Sequence, residues 1–292
     1  MPFLSPLRYP GGKRKLANYI KLVFESNNLL DGNYIEPYAG GASIALALLF
    51  EEYVGNIWIN DLDRSVFAFW NCVLNDTEVL CRLIQDTPVN IDEWHRQKHV
   101  QADLDASLVQ LGFSTFFLNR TNRSGILSGG VIGGKDQTGK WKIDARYNKS
   151  DLIGRIEKIA RHRNRIHLHN QDALVFVRSV APNLPERTLF YLDPPYFVKG
   201  QQLLYKSYYR EEDHWAVAQM VRNLPLRWIV SYDDTPEIRA LYQEFRSIEY
   251  SISYSAQDRY RGAEKMFFSD NLIINDIHDP AMIRILSRRG TQ

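Results

Sequence analysis

Cysteine is scarce in this chain of 292 residues, with only Cys72 and Cys81 present. Two thiols neither staple a secreted scaffold nor build a metal cage on their own. Long apolar runs are missing too. The most apolar stretch, Ala42 to Phe50, has about half of the ~20 residues a membrane span needs. The opening residues, Met1-Pro2-Phe3-Leu4-Ser5-Pro6, do not lead a charged segment into an apolar one, so no export signal is expected and the cytoplasm is the expected compartment. Charge of one sign is not in excess either: 36 basic residues face 34 acidic ones, a net +2. Bulk charge therefore names no polyanionic partner. Internal repeats and low-complexity tracts are absent. With 45% hydrophobic and 24% charged residues, the composition is that of a globular chain and excludes wholesale disorder.

Short apolar runs read as strands buried on both faces: Tyr34-Ile35, Ile57 to Ile59, Ile166 to Leu168, Leu189 to Leu192 and Trp228 to Val230. Helical patterns lie between most of them, over Ala42 to Phe50, from Asp63 and Ser65 through Val73, Asp213 to Asn223 and Pro236 to Phe245. Such alternation predicts an α/β fold with a doubly wound, mostly parallel sheet. Ile248 to Tyr254 and Met266 to Ile274 instead suggest an antiparallel hairpin at the C-terminal edge. The middle breaks the alternation with helices at Ile91 to Val100, Ala106 to Leu118 and Asp151 to Asn164, and a short hairpin arm at Lys140 to Ile143. The expectation is one discontinuous domain from residues 1–83 and 165–292, carrying a mainly helical insertion of residues 84–164.

Tyr34-Ile35-Glu36-Pro37-Tyr38-Ala39-Gly40-Gly41-Ala42-Ser43 reads as strand, tight turn and helix start. Glycine there lets backbone approach a ligand, and the helix N-terminus offers free N–H groups. Asp61 ends the next strand about 20 residues on, where doubly wound folds place a ribose-binding carboxylate. The alternative is a plain turn with Asp61 capping a helix. Neither a dinucleotide fingerprint nor a phosphate loop is present, so a cofactor with ribose and no pyrophosphate fits better.

Tyr191-Leu192-Asp193-Pro194-Pro195-Tyr196-Phe197 ends a buried strand with a carboxylate, two prolines and aromatics. A given tetrapeptide occurs by chance in roughly one such chain in five hundred. Prolines fix φ, so the acid, a carbonyl and a ring are held in preset positions where open α/β sheets bind ligands.

These segments resemble the Dam-type DNA adenine-N6 methyltransferases, which use S-adenosylmethionine. The resemblance covers most of the chain. Arg8-Tyr9-Pro10-Gly11-Gly12-Lys13 looks like the N-terminal cofactor motif, Glu36 to Gly41 the glycine turn, Asn60-Asp61 the ribose acid and Asp193 to Tyr196 the catalytic motif. Leu118 to Gly125 resembles the family's signature segment, Arg146-Tyr147 a paired arginine and tyrosine, and Gln171-Asp172 the cofactor's adenine contact. Two positions depart from the pattern: Ala42 stands where many members carry glycine, and Tyr9 where others carry Trp.

The resemblance implies a methyltransferase fold whose insertion recognises DNA, with Tyr9, Lys13, Glu36, Tyr38, Gly40, Asp61, Asp172 and Asp193 around the cofactor. It implies catalysis by Asp193, Pro194, Pro195 and Tyr196. The carboxylate and a main-chain carbonyl would accept the two N–H bonds of an adenine amine, and Tyr196 would stack on the base. An amine inside a duplex is out of reach, so the base would flip out. Arg120, Asn122, Arg123, Arg146, Arg259, Arg261 and Lys265 are the expected DNA contacts. Expected partners are double-stranded DNA and a cognate restriction endonuclease or defence system, with the chain acting as a monomer and without metal.

Cytosine N4 or RNA adenine would suit the same acceptors, and a non-catalytic binding protein or a nucleotide-dependent oxidoreductase are readings from other classes. The basic run Arg155 to His169 is either a phosphate patch or a solvated helix face. His95, His99, His162, His167 and His169 lack metal-ligand spacing. Ser231-Tyr232-Asp233-Asp234 either lines a base pocket or caps a turn.

Overall fold

A computed structural model describes residues 4–8, 13–197, 209–253, 261–275, 277 and 279–283, without the side chains of 251–253, 261 and 262. The elements run α1 (Ala17–Ser26), β1 (Gly32–Glu36), α2 (Ser43–Phe50), β2 (Val54–Asn60), α3 (Arg64–Asn75), α4 (Thr77–Asp86), α5 (Ile91–Ala102), α6 (Leu108–Thr121) and α7 (Lys149–Ala160). They continue through β3 (Ile166–His169), α8 (Ala173–Val180), β4 (Thr188–Leu192), α9 (Glu211–Arg222), β5 (Arg227–Asp233), α10 (Pro236–Leu241), β6 (Arg246–Ser253) and β7 (Arg261–Phe268). The seven strands form one mostly parallel sheet in the order β3-β2-β1-β4-β5-β7-β6. Strand order reverses between β1 and β4, and the carboxyl ends of two such parallel strands frame the crevice where open α/β sheets take ligands.

By its internal contacts the chain divides into two compact units, one of residues 1–12 and 61–170, the other of 13–60 and 171–292. In the second unit, strand alternation separates two faces. Ile35, Phe190, Leu192, Trp228, Val230, Tyr232 and Phe267 turn to an apolar layer with Phe176 of α8, Val217 and Val221 of α9, and Ile238 of α10. Tyr34, Glu36, Tyr191, Ser231 and Glu264 point the other way. Their face meets α1 and α2: Phe24 lies 6.2 Å from the Tyr34 ring and Tyr19 lies 6.4 Å from Phe268. α2 is apolar all round because almost every residue in it is buried. β7 pairs antiparallel with both β5 and β6, setting Glu264 opposite Asp233 on one side and Tyr250 on the other.

The first unit is mainly helical. α3 and α6 approach so closely that a Cβ on Gly112 would stand 2.6 Å from the Ala68 carbonyl. Phe69 stacks on Phe116 at 6.1 Å, and Tyr147 meets Phe116 edge-on at 5.4 Å. Lys140 to Ile143, expected as a hairpin arm, forms turns instead. The pairing in this loop is a single bridge, Asn122 to Val131. Glycines at 129, 130, 133, 134 and 139 favour turns over strand around it.

Candidate active site

Asp193 stands one step beyond β4, on the polar face of the sheet. Its neighbours arrive from every side. Lys13, 4% exposed, lies 3.4 Å from Asp193 Oδ1 and forms a second ion pair with Glu264 of β7. The same ammonium donates to the Tyr196 hydroxyl, which in turn donates to Glu264 Oε1 at 2.6 Å. Tyr250 of β6 donates to Glu264 Oε2 at 2.7 Å, and its hydroxyl oxygen lies 3.2 Å from that of Ser231. Ser231 also bonds the Tyr191 hydroxyl at 2.7 Å. At the end of β1, Glu36 accepts from Tyr34 at 2.9 Å and from the Ala45 N–H at the start of α2.

The half-buried Asp193 and the buried Glu264 therefore share one buried ammonium, and the buried Glu36 lies close enough to couple to Asp193. Burial pushes the Asp193 carboxyl up to about 7; Lys13 opposes the rise and the charge of Glu264 adds to it. Burial likewise pushes Glu36 up to about 8. For Lys13 burial works against the charge, but Asp193 and Glu264 outweigh it and hold its pKa above the ordinary lysine value. Asp193 Oδ1 is buried without a hydrogen-bond partner among the described residues. An acceptor met only by the 3.4 Å ion pair with Lys13 suits a donor ligand.

The backbone around this cluster is rigidly held. Pro194 and Pro195 stiffen the loop, and the Asp233 carboxylate accepts from Phe197 N at 3.0 Å. On the other side of the crevice, Gly40 adopts φ 47° and Ala42, at the helix N-cap, also φ 47°. Left-handed φ is costly for alanine, so the turn's shape is imposed by its surroundings. Asn60, 1% exposed, donates to the carbonyls of Pro37 and Gln171 at 3.0 Å each and accepts from Gln171 N at 2.9 Å. The Tyr38 hydroxyl accepts from Tyr209 at 3.0 Å.

Two other expected cofactor residues carry local duties. Asp172 caps α8, accepting from Leu174 N at 2.9 Å and Val175 N at 3.2 Å. Asp61 accepts from Asp63 N at 2.9 Å just after β2. Tyr9 and Arg259 lie outside the described residues, as does the side chain of Arg261.

Arg120 and Asn122 are not on an open DNA face, contrary to expectation. Arg120 is buried and donates through Nε to the Pro6 carbonyl at 2.6 Å. Burial lowers its pKa, and Arg155 and Arg8 add to the fall. Asn122 is fully buried; it accepts from Trp94 Nε1 at 2.7 Å and donates to the carbonyls of Ile126 and Leu127. Both residues sit where α6 ends in a packed turn, so their polar groups satisfy backbone. Asn119 does the same, holding both the N–H and the carbonyl of Arg8 and the Gly125 carbonyl. Arg123 and Arg146 are exposed, and Arg146 lies 6.0 Å from the ring of Trp141. Lys265 is half-buried on β7.

Residues 9–255 match the family of D12 class N6 adenine-specific DNA methyltransferases. The chain belongs to that family. A modification methylase from Streptococcus sanguinis, StsI, is 30% identical over 94 residues, a match that covers 32% of this chain and 13% of that relative's length. Among solved structures, an rRNA methyltransferase of Streptomyces viridochromogenes, aviRa, aligns over 90% of this chain and 88% of its own at a TM-score of 0.37 and 11% identity. A Pyrococcus horikoshii protein assigned as an RNA methyltransferase aligns over 90% and 85% at a TM-score of 0.43 and 9% identity. Among the described residues no His, Cys, Asp and Glu side chains gather as a metal-binding group. No helix among them is long and apolar enough to cross a membrane.

Glu264 and Tyr250 are members of the Asp193 cluster that motif reading misses, while Asn119 falls within the signature segment without a role assigned to it. Glu264 lies in an arginine-rich stretch, where a lone acid looks solvated. Its signal is the alternation Glu264, Met266, Phe268, which turns the acid toward the same face as two apolar residues.

Proposed function

We propose that the protein methylates the N6 amine of adenine in double-stranded DNA, with S-adenosylmethionine as methyl donor. The observation that carries this reading is the half-buried Asp193 carboxyl, whose Oδ1 is met by Lys13 at 3.4 Å and by no hydrogen bond, on a double-proline loop at the end of β4. Family membership supplies the substrate class.

The residues fit the cofactor. A cationic group beside Asp193 would stabilise its ionised form against the burial that raises its pKa. Lys13, Glu36, Tyr38, Gly40, Asp61, Asp172 and Asp193 would hold it, with Tyr9 completing the set. S-adenosylmethionine supplies an electrophilic methyl group on a sulfonium.

An exocyclic amine is a weak nucleophile because its lone pair is delocalised into the ring. Asp193 and the Pro194 carbonyl accept its two N–H bonds, which favours a pyramidal nitrogen with the lone pair free to attack. Fixed acceptors cost no reorganisation during reaction. Tyr196 stacks on the adenine, which must leave the duplex at a cost of about a few kcal/mol. Residues 84–164 act as the target-recognition region. Arg123 and Arg146, with Lys265, Arg259 and Arg261 from the C-terminal strands, offset that cost through phosphate and base contacts. The buried Arg120 and Asn122 shape the loop that presents Arg123. The protein works as a monomer in the cytoplasm, alongside a cognate restriction endonuclease or defence system.

Incubation with methyl-tritiated S-adenosylmethionine and plasmid DNA tests this. Label enters DNA with the wild type, and Asp193→Ala lowers incorporation by about a hundredfold or more. Equal incorporation by both proteins would contradict the assigned role of Asp193.

A further inference from the structure

Glu264 has no exposed surface and yet joins three separate elements. It pairs with Lys13 from the segment before α1, accepts from Tyr196 in the loop after β4, and accepts from Tyr250 of β6. It thereby touches both the ammonium and the ring that flank Asp193. We infer that Glu264 is a positioning residue for the methyl-transfer site, holding Tyr196 in its stacking pose and dividing the Lys13 charge between itself and Asp193.

The geometry shows why one residue does both. Lys13 Nζ sits between two carboxylates, with Glu264 in hydrogen-bond contact and Asp193 at 3.4 Å. The nearer acid takes the larger share of the positive charge. Asp193 Oδ1 is then held only by the longer 3.4 Å ion pair with Lys13, loosely enough to accept a substrate N–H. The two oxygens of Glu264 are divided as well: Oε1 fixes the Tyr196 hydroxyl and Oε2 takes Lys13 and Tyr250.

Other titratable groups face this centre. Tyr34 and Glu36 come from β1, Tyr191 from β4 and Tyr250 from β6, while the Asp233 carboxylate at the end of β5 is engaged by Phe197 N. The charge of Glu264 contributes to the elevated pKa of Asp193, and Lys13 opposes it. Removing that negative charge while keeping the shape frees Lys13 for Asp193. The acid then ionises at lower pH.

This inference rests on the methyl-transfer reading for its purpose, but its core is testable without turnover. Protein carrying 13C at the aspartate carboxyls is titrated by NMR, and Asp193→Asn assigns the resonance. In Glu264→Gln the Asp193 midpoint falls by about one pH unit, and the acid limb of kcat for DNA methylation moves the same way, with KM little changed. Glu264→Ala, which also releases Tyr196, loses about a further tenfold in kcat. Tyr250→Phe leaves one donor fewer on the Glu264 carboxylate and moves the midpoint upward; it serves alone should Glu264→Gln fail to fold. An unchanged Asp193 midpoint in the folded variants overturns the inference even if the wild type methylates DNA. A shifted midpoint in a wild-type protein that leaves DNA unmethylated upholds the charge division and sinks the methyl-transfer reading instead.

Discussion

Burial holds Glu36 and Asp193 well above the ordinary carboxyl range, to about 8 and about 7. Both groups keep their protons in the folded protein at pH values where the unfolded chain has lost them. The folded state then binds more protons than the unfolded one between about pH 4 and 8, so stability falls as pH rises through that window. The contribution is complete below the unfolded pKa and gone above the folded one. The melting temperature of the ligand-free protein should therefore decline between about pH 5 and 8. Glu36→Gln, which is neutral at every pH, should flatten part of that decline. A wild-type melting temperature that climbs steadily toward pH 8 would contradict the assignment.

At the level of elements, the N-terminal segment around Ser5 to Arg8 is held onto the helical unit by side chains of α6 and α7. Asn119 bonds both backbone groups of Arg8, Arg120 grips Pro6, and Arg155 reaches the Ser5 carbonyl at 3.2 Å. Asn119→Ala leaves buried backbone groups unsatisfied and should destabilise the protein by about 2 kcal/mol or more. Urea unfolding measures that cost, and faster exchange of the Arg8 amide in the variant would locate it. Undiminished protection of that amide would show that Asn119 is not the clamp. The sequence made the strands β1, β2, β4 and β5 legible because each is an apolar run ended by a chemical residue, as in Glu36, Asp61 and Asp193. Helices without capping signals were harder to find. α1 follows Leu16 and α4 follows Asp76, neither with a side-chain cap bond, so no start signal marks them. Asp172 caps α8 as well, a structural duty that the motif alone did not signal. β7 starts earlier than its apolar end implies, because backbone pairing with neighbouring strands extends over Arg261 to Lys265.

Over the whole molecule, one compact unit gathers the acids, the ammonium and the stacked tyrosines, while the other holds the signature segment and its exposed arginines. In the first of these, the motifs singled out Asp193 and Lys13, which the structure brings within 3.4 Å of each other. They misjudged the second because Arg120 and Asn122 belong to a buried turn, and burial there depends on packing between α6 and the loop after it. Family membership and the open acceptor on Asp193 converge on a single reaction. Its most direct test is mass spectrometry of nucleosides from unmethylated plasmid DNA after incubation with the protein and S-adenosylmethionine. The account predicts N6-methyldeoxyadenosine with the wild type and none above background with Asp193→Ala. A methylated cytosine in its place, or no modified base at all, would contradict it.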